Sequence, residues 1–268
     1  MPRSGVASPS PDVLAAFGLD GDLEPVSGGQ QTVWRVGAAV LKPLDTTPEI
    51  LGWQEQLLTT LDGRTDFRVA PPLRSSSDAL VVDGWTAWRY EPSRHMAGRW
   101  ADIIAVSRSF HRAVAEVPRP AFLDRRDDPW AVADRVAWGE IPMTDYVDMP
   151  HVAELAAALR PIAATPQLTH GDLTGNVLFA DGLPPVVLDL SVYWRPPTTA
   201  SAIVVADALV YEQADRELLD AVSDPPDFAQ YLLRALIFRV VVHAGLGPDG
   251  GDPFADAVRL ALDLAGPP

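Results

Sequence analysis

The apolar residues of this chain change their period once, near Pro92, and that change restricts the fold more than any other feature. Before it, β-branched and aromatic runs alternate with turn residues: Thr32 to Val36, a turn at Gly37, Ala39 to Lys42, Arg68 to Leu73, Ala79 to Val82, and Trp85 to Glu91 after Asp83-Gly84. Ser10, Pro11 and Asp12 open a short helix that Gly18 stops, expected to pack on the outside. Thr47, Pro48 and Glu49 open a second, in which Ile50, Trp53, Leu57, Leu58 and Leu61 predict one buried face. Beyond Pro92 the spacing becomes three to four. Trp100, Ile103, Ile104, Ser107, Phe110, His111 and Val114 predict one long helix, and others are predicted at 129–139, 151–160, 200–222, 227–244 and 253–265. The expected fold class is α+β in two lobes. Residues 1–92 form a small antiparallel sheet with one inserted helix, and residues 93–268 a larger, mainly helical lobe.

Composition removes several kinds of chemistry. The absence of cysteine excludes disulfides, thiol nucleophiles and cysteine-ligated metals. A net charge of -15 opposes binding to nucleic acid or anionic lipid. Met1 to Ser10 has no apolar stretch of the signal-peptide kind, and Leu232 to Leu246 is interrupted by Arg234, Arg239 and His243 and is shorter than the roughly 20 residues a bilayer needs. A cytoplasmic protein with neither nucleic-acid nor membrane partner is expected; its oligomeric state is left open. No GxSxG elbow occurs, which argues against a serine hydrolase, and the histidines lack any paired metal spacing such as HExxH. Among the 21 basic residues the only lysine is Lys42.

One strand-rich insertion interrupts the helices, from Gln167 to Ser191. Within it, Leu168-Thr169-His170-Gly171-Asp172-Leu173-Thr174-Gly175-Asn176-Val177-Leu178-Phe179 sets an acid and an amide on a short loop between apolar strands, and Val187-Leu188-Asp189-Leu190 adds a second acid. Magnesium prefers hard oxygen ligands and commonly takes one or two from protein and the rest from phosphate and water, which suits Asn176 and Asp189. Asp172 is then available to orient a hydroxyl. With a lysine on the phosphates, these parts suffice for phosphoryl transfer, in which the protein mainly positions reactants and neutralises charge.

These segments, HGDLTGNVLF followed by VVLDLS, resemble the catalytic loop and metal-binding strand of the aminoglycoside phosphotransferase and choline-kinase-like family, which has a protein-kinase-like fold. The resemblance implies ATP and Mg2+ as cofactors, Asp172 as catalytic base, Asn176 and Asp189 as magnesium ligands, and Lys42 on the ATP phosphates. It implies Glu55 as the partner of Lys42, with Glu49 as competitor. Gly28 and Gly29 stand where a glycine-rich loop covers the phosphates, and the strand ending at Glu91 leads to the adenine-contacting hinge. The implied reaction moves the γ-phosphoryl group to a hydroxyl of a small molecule held between the lobes. An amine-bearing acceptor is compatible with the acidic balance, and so is a neutral one. Asp172 and Asn176 enclose three residues, one fewer than usual for such loops, so Gly175 is expected in a backbone conformation closed to other residues. That shortening leaves an alternative open, a catalytically inactive kinase-like module that binds nucleotide or serves as a scaffold. His170 is expected to brace the loop. Asp207 reads either as a buried partner of the loop or as part of a solvent stripe, His95, His111, His151 and His243 as surface or packing residues, and the tryptophans as core.

Overall fold

Ser10 caps α1 (Pro11–Ala16), its hydroxyl accepting from the Val13 amide at 3.3 Å, with Pro11 in the first turn. This computed structural model describes residues 8–26, 33–222, 225–246 and 251–266, so Gly28 and Gly29 lie outside the described residues. The first correction to the sequence reading concerns α1, which is not peripheral: Val13 and Phe17 join Val36, Leu41, Trp85 and Ala87 in one core. A six-residue helix is too short to persist on its own hydrogen bonds and needs the apolar face it buries.

The sheet strands follow as β1 (Glu24–Val26), β2 (Val33–Val36) and β3 (Ala39–Pro43), with Gly37 at φ 56 in the β2–β3 turn. Thr47 caps α2 (Pro48–Leu61), which buries Leu51, Leu57, Leu58 and Leu61, a face turned slightly from the expected one. The run from Arg68 to Leu73 divides into β4 (Arg68–Val69) and β5 (Pro72–Leu73), since Pro71 and Pro72 have no N–H to continue a ladder. Asp83 and Gly84 both take positive φ, 47 and 76, as a two-residue hairpin turn into β6 (Trp85–Arg89) requires. The antiparallel sheet runs β1-β2-β3-β6-β5, and its register places Lys42 opposite Thr86.

Helices dominate afterwards: α3 (Trp100–Ala113), α4 (Pro129–Ala137) and α5 (Val152–Ala157). Then come β7 (Gln167–His170), β8 (Val177–Ala180), β9 (Leu183–Val187) and β10 (Val192–Arg195), followed by α6 (Thr198–Tyr211), α7 (Arg216–Val222), α8 (Phe228–Leu246) and α9 (Ala255–Ala265). The helix expected over 200–222 is two, separated where Gln213 takes φ 58. The strand expected to carry Asp189 ends at Val187, and Asp189 occupies the connection to β10 at φ 43.

Packing sorts the chain into two units, Met1–Arg94 with Leu178–Leu188, and His95–Val177 with Asp189–Pro268. The β8–β9 hairpin goes with the first because β9 runs parallel to β4 and Arg94 bridges Phe179. In the second, α6 and α8 are buried on nearly every side. Phe228–Gly245 is long and apolar enough to cross a membrane by length and composition, yet 72% of that stretch is buried within the protein, as befits a core helix. A charged residue on such a helix has to find a counter-charge inside.

Candidate active site

In the first unit Lys42 sits on a central strand, its side chain 17% exposed. Its Nζ lies 3.1 Å from Asp45 and 5.2 Å from the Trp88 ring centroid. Thr86 fixes the local strand pair by donating its hydroxyl to the Lys42 carbonyl at 3.1 Å. Glu55 departs from the expected pairing: Arg74 donates to both its oxygens, at 2.5 and 2.6 Å. A planar guanidinium forks onto a carboxylate with two parallel bonds, which an ammonium cannot do. Glu91 is likewise engaged, its side chain 8% exposed between Arg68 and Arg89, with Arg89 Nε donating at 2.9 Å. Arg89 extends the clasp to Asp62 at 2.7 and 2.8 Å, and this hydrogen bonding holds the Asp62 carboxyl below its usual range. The Glu91 side chain therefore ties the end of β6 to β4.

The second unit assembles the loop residues around β7. This strand pairs antiparallel with β10, His170 facing Val192, and Gly171 N–H donates to the Ser191 carbonyl at 2.8 Å. The segment leading into β10, Asp189 to Ser191, and the loop leaving β7, Gly171 to Asn176, thus meet at one end of the ladder. The sharp departure from β7 needs glycine at 171, where a Cβ would come within 2.5 and 2.7 Å of Tyr193 ring carbons. The expectation at Gly175 holds, with φ at 84. Leu173, almost wholly buried, anchors the loop from inside.

Two histidines brace this loop. The His170 ring, inaccessible to solvent, accepts the Asp172 N–H on Nδ1 at 3.1 Å. His170 N–H in turn donates to His111 Nε2 at 3.0 Å, while His111 Nδ1 lies 2.7 Å from the Ser107 carbonyl. These contacts require a neutral His111 with its proton on Nδ1. Burial favours that state, pushing His111 down to about 4. His111, read from sequence as a packing residue, is thus part of the loop's support.

Asn176 donates Nδ2 to the Asp172 carbonyl at 2.7 Å and to Asp172 Oδ2 at 3.1 Å. With its amide nitrogen committed, the oxygen it has left to offer is Oδ1, a hard ligand of the kind magnesium prefers. Among the described residues no group of three His, Cys, Asp or Glu side chains could hold a metal ion. A divalent cation at Asn176 and Asp189 would draw its remaining ligands from phosphate and water, so the donor set fits magnesium bound together with nucleotide. Asp172 is 45% exposed.

Beneath the loop lies a residue that sequence reasoning passed over. Arg239, on α8, donates Nε and Nη2 to the two oxygens of Asp207 at 2.6 Å each and Nη2 to Asp172 Oδ1 at 3.0 Å. Asp207 is 5% exposed and belongs to the buried network, which decides between its two sequence readings. Burial pushes the Asp207 carboxyl up against the pull of Arg239; for Arg239 the two carboxylates overcome burial and raise the guanidinium further. The available signal was a cation interrupting a long apolar helix.

A scan of protein families and a search of curated proteins found no match to this sequence. Solved structures do match. A microcompartment-associated aminopropanol kinase superposes with a TM-score of 0.62 at 15% identity, over 93% of this chain and 92% of its own. An aminoglycoside phosphotransferase from Alicyclobacillus acidocaldarius gives 0.61 at 18% identity over 97% and 92%, and the choline kinase LicA from Streptococcus pneumoniae 0.59 at 12% over 95% and 96%. The chain has the kinase-like fold of these phosphotransferases. At such identities the likeness is one of fold, and roles within this kinase-like chain rest on its own residues.

Proposed function

We propose that this protein is an ATP-dependent phosphotransferase that moves the γ-phosphoryl group to a hydroxyl of a small molecule. The observation that carries the reading is the pairing of Asp172 with Asn176. One amide ties the loop to itself and keeps its oxygen for a cation, while the neighbouring carboxylate stays half exposed to meet an acceptor. In this reading Asp172 orients the hydroxyl and accepts its proton, and Asn176 and Asp189 hold magnesium, which when bound would neutralise charge on the phosphates. Lys42, with Gly28 and Gly29, serves the phosphates. The arginine clasp on Glu91 implies that any adenine contact at that end of β6 comes from backbone.

The acceptor class is a hydroxylated small molecule; an amine on it would suit the net charge of -15. One observation favours the alternative, an inactive nucleotide-binding or scaffolding module: Glu55 is held by Arg74 rather than by the lysine a working site would be expected to pair with it. ATP consumption with magnesium across a pool of hydroxylated and aminated metabolites separates the two. The phosphotransferase reading expects turnover that chelator abolishes and Asp172→Asn nearly abolishes, with ATP binding intact. Saturable ATP binding without turnover across the pool would favour the module.

A further inference from the structure

Arg239 faces two carboxylates and answers them unequally. Its fork closes on Asp207 with two 2.6 Å bonds, both groups nearly free of solvent. The second hydrogen on Nη2 reaches Asp172 Oδ1 over 3.0 Å, and that carboxylate remains 45% exposed. A short, bidentate, desolvated pair takes the larger share of a cation's field. Asp172 thus receives a hydrogen bond from a guanidinium whose charge is already balanced. Its other oxygen is held by Asn176 at 3.1 Å. An ionised carboxylate offers about four lone-pair positions, so two fixed bonds leave acceptor capacity for a substrate proton.

We propose that Arg239 is the positioning residue for Asp172, and that Asp207 serves to absorb the arginine's charge so that Asp172 is oriented without being neutralised. The proposal rests on the phosphotransferase reading of Asp172. It gives a function to two charges buried between apolar helices, an arrangement that stability alone does not favour over well-packed apolar side chains.

The test uses the full-length protein. Arg239→Lys keeps a cation opposite Asp207, so the buried charge is not orphaned, but an ammonium cannot fork to both carboxylates. Turnover is expected to fall on the order of 10 to 100-fold in kcat, with KM for ATP within about twofold, as misplacement of a reacting group predicts. In an Asp172→Asn background the same change is expected to cost nothing further, since Arg239 acts through Asp172. A further loss there, or a loss carried by KM for ATP, would overturn the proposal. A crystal structure of Arg239→Lys supplies a readout independent of activity: Asp172 is expected to leave its present rotamer. If the unsubstituted protein turns over no acceptor, the phosphotransferase reading fails by itself. An Asp172 side chain unmoved in the variant overturns the positioning role whether or not turnover is found.

Discussion

The charged groups of the two units are arranged on different plans. In the first, the two glutamates named from the sequence are fastened to arginines: Glu55 to Arg74, Glu91 to Arg68 and Arg89. In the second, the loop's polar groups are fastened mainly to each other and to buried supports, through His111, His170, Asn176 and the Arg239–Asp207 pair. Between the Asp172–Asn176 pair and the expected Lys42–Glu55 pair the difference is one of sequence range. Asp172 and Asn176 are close enough along the chain that a tight turn brings them together. A lysine on β3 and a glutamate on α2 share no local geometry, and an arginine with better fork geometry can take the glutamate.

Several measurements would break or sharpen this comparison. The largest effect is expected at the loop, where Asp172→Asn should lower kcat by about 10²–10⁴-fold, the range for a general base, with little change in ATP affinity by calorimetry. In the first unit, Lys42→Ala should raise KM for ATP by about tenfold while Glu55→Ala leaves it within about twofold. Equal effects of the two would restore Glu55 to the lysine and erase the contrast. Gly171→Ala should cost about 1–3 kcal/mol in urea unfolding, because the new methyl meets the Tyr193 ring. A neutral result would mean that the ring yields.

The smallest effect concerns a charge cluster remote from the loop sequence. His151 contacts Glu154 at 2.5 Å and Asp252 at 2.6 Å, and although burial pulls the other way, these two acids raise it above its usual 6.5. A raised histidine contributes stability that is complete below the unfolded value of 6.5 and is lost as pH climbs through the folded value. Melting temperature should therefore fall by about 1 °C from pH 6 to pH 8.5, and His151→Gln should abolish that part of the slope. An unaltered slope in the variant assigns the effect to other groups.

Much of the fold was legible because it follows from short-range rules. Helix starts at Ser10 and Thr47, the Asp83-Gly84 turn and the constraint on Gly175 all depend on residues a few positions apart. Errors arose where the partner was distant. The eight tryptophans read as core residues, yet only Trp85 is buried, at 8% exposure, and the other seven are partly exposed, Trp34 among them packing against the core. Trp138 instead lies 5.1 Å from both Arg195 and Arg234, an amphipathic ring used as a platform for cations. The helix 200–222 breaks at Gln213 although its composition favours continuity. For the proposed site, Asp172, Asn176 and Asp189 were named from their sequence segments, whereas the support that His111 and Arg239 give to Asp172 and its loop comes from distant elements.

The amino-acid sequence alone determined the division into strands and helices, the turn that carries Asp172 and the hard-oxygen character of its neighbours, since periodicity, turn chemistry and ligand type are properties of residues and their near neighbours. Tertiary structure alone decided which cation answers which carboxylate. Asp207 and Arg239 lie 32 positions apart. Only the packing of α6 against α8 turns an apparent flaw in an apolar helix into the buried support of the loop, because a charge deprived of water binds whichever opposite charge the fold delivers.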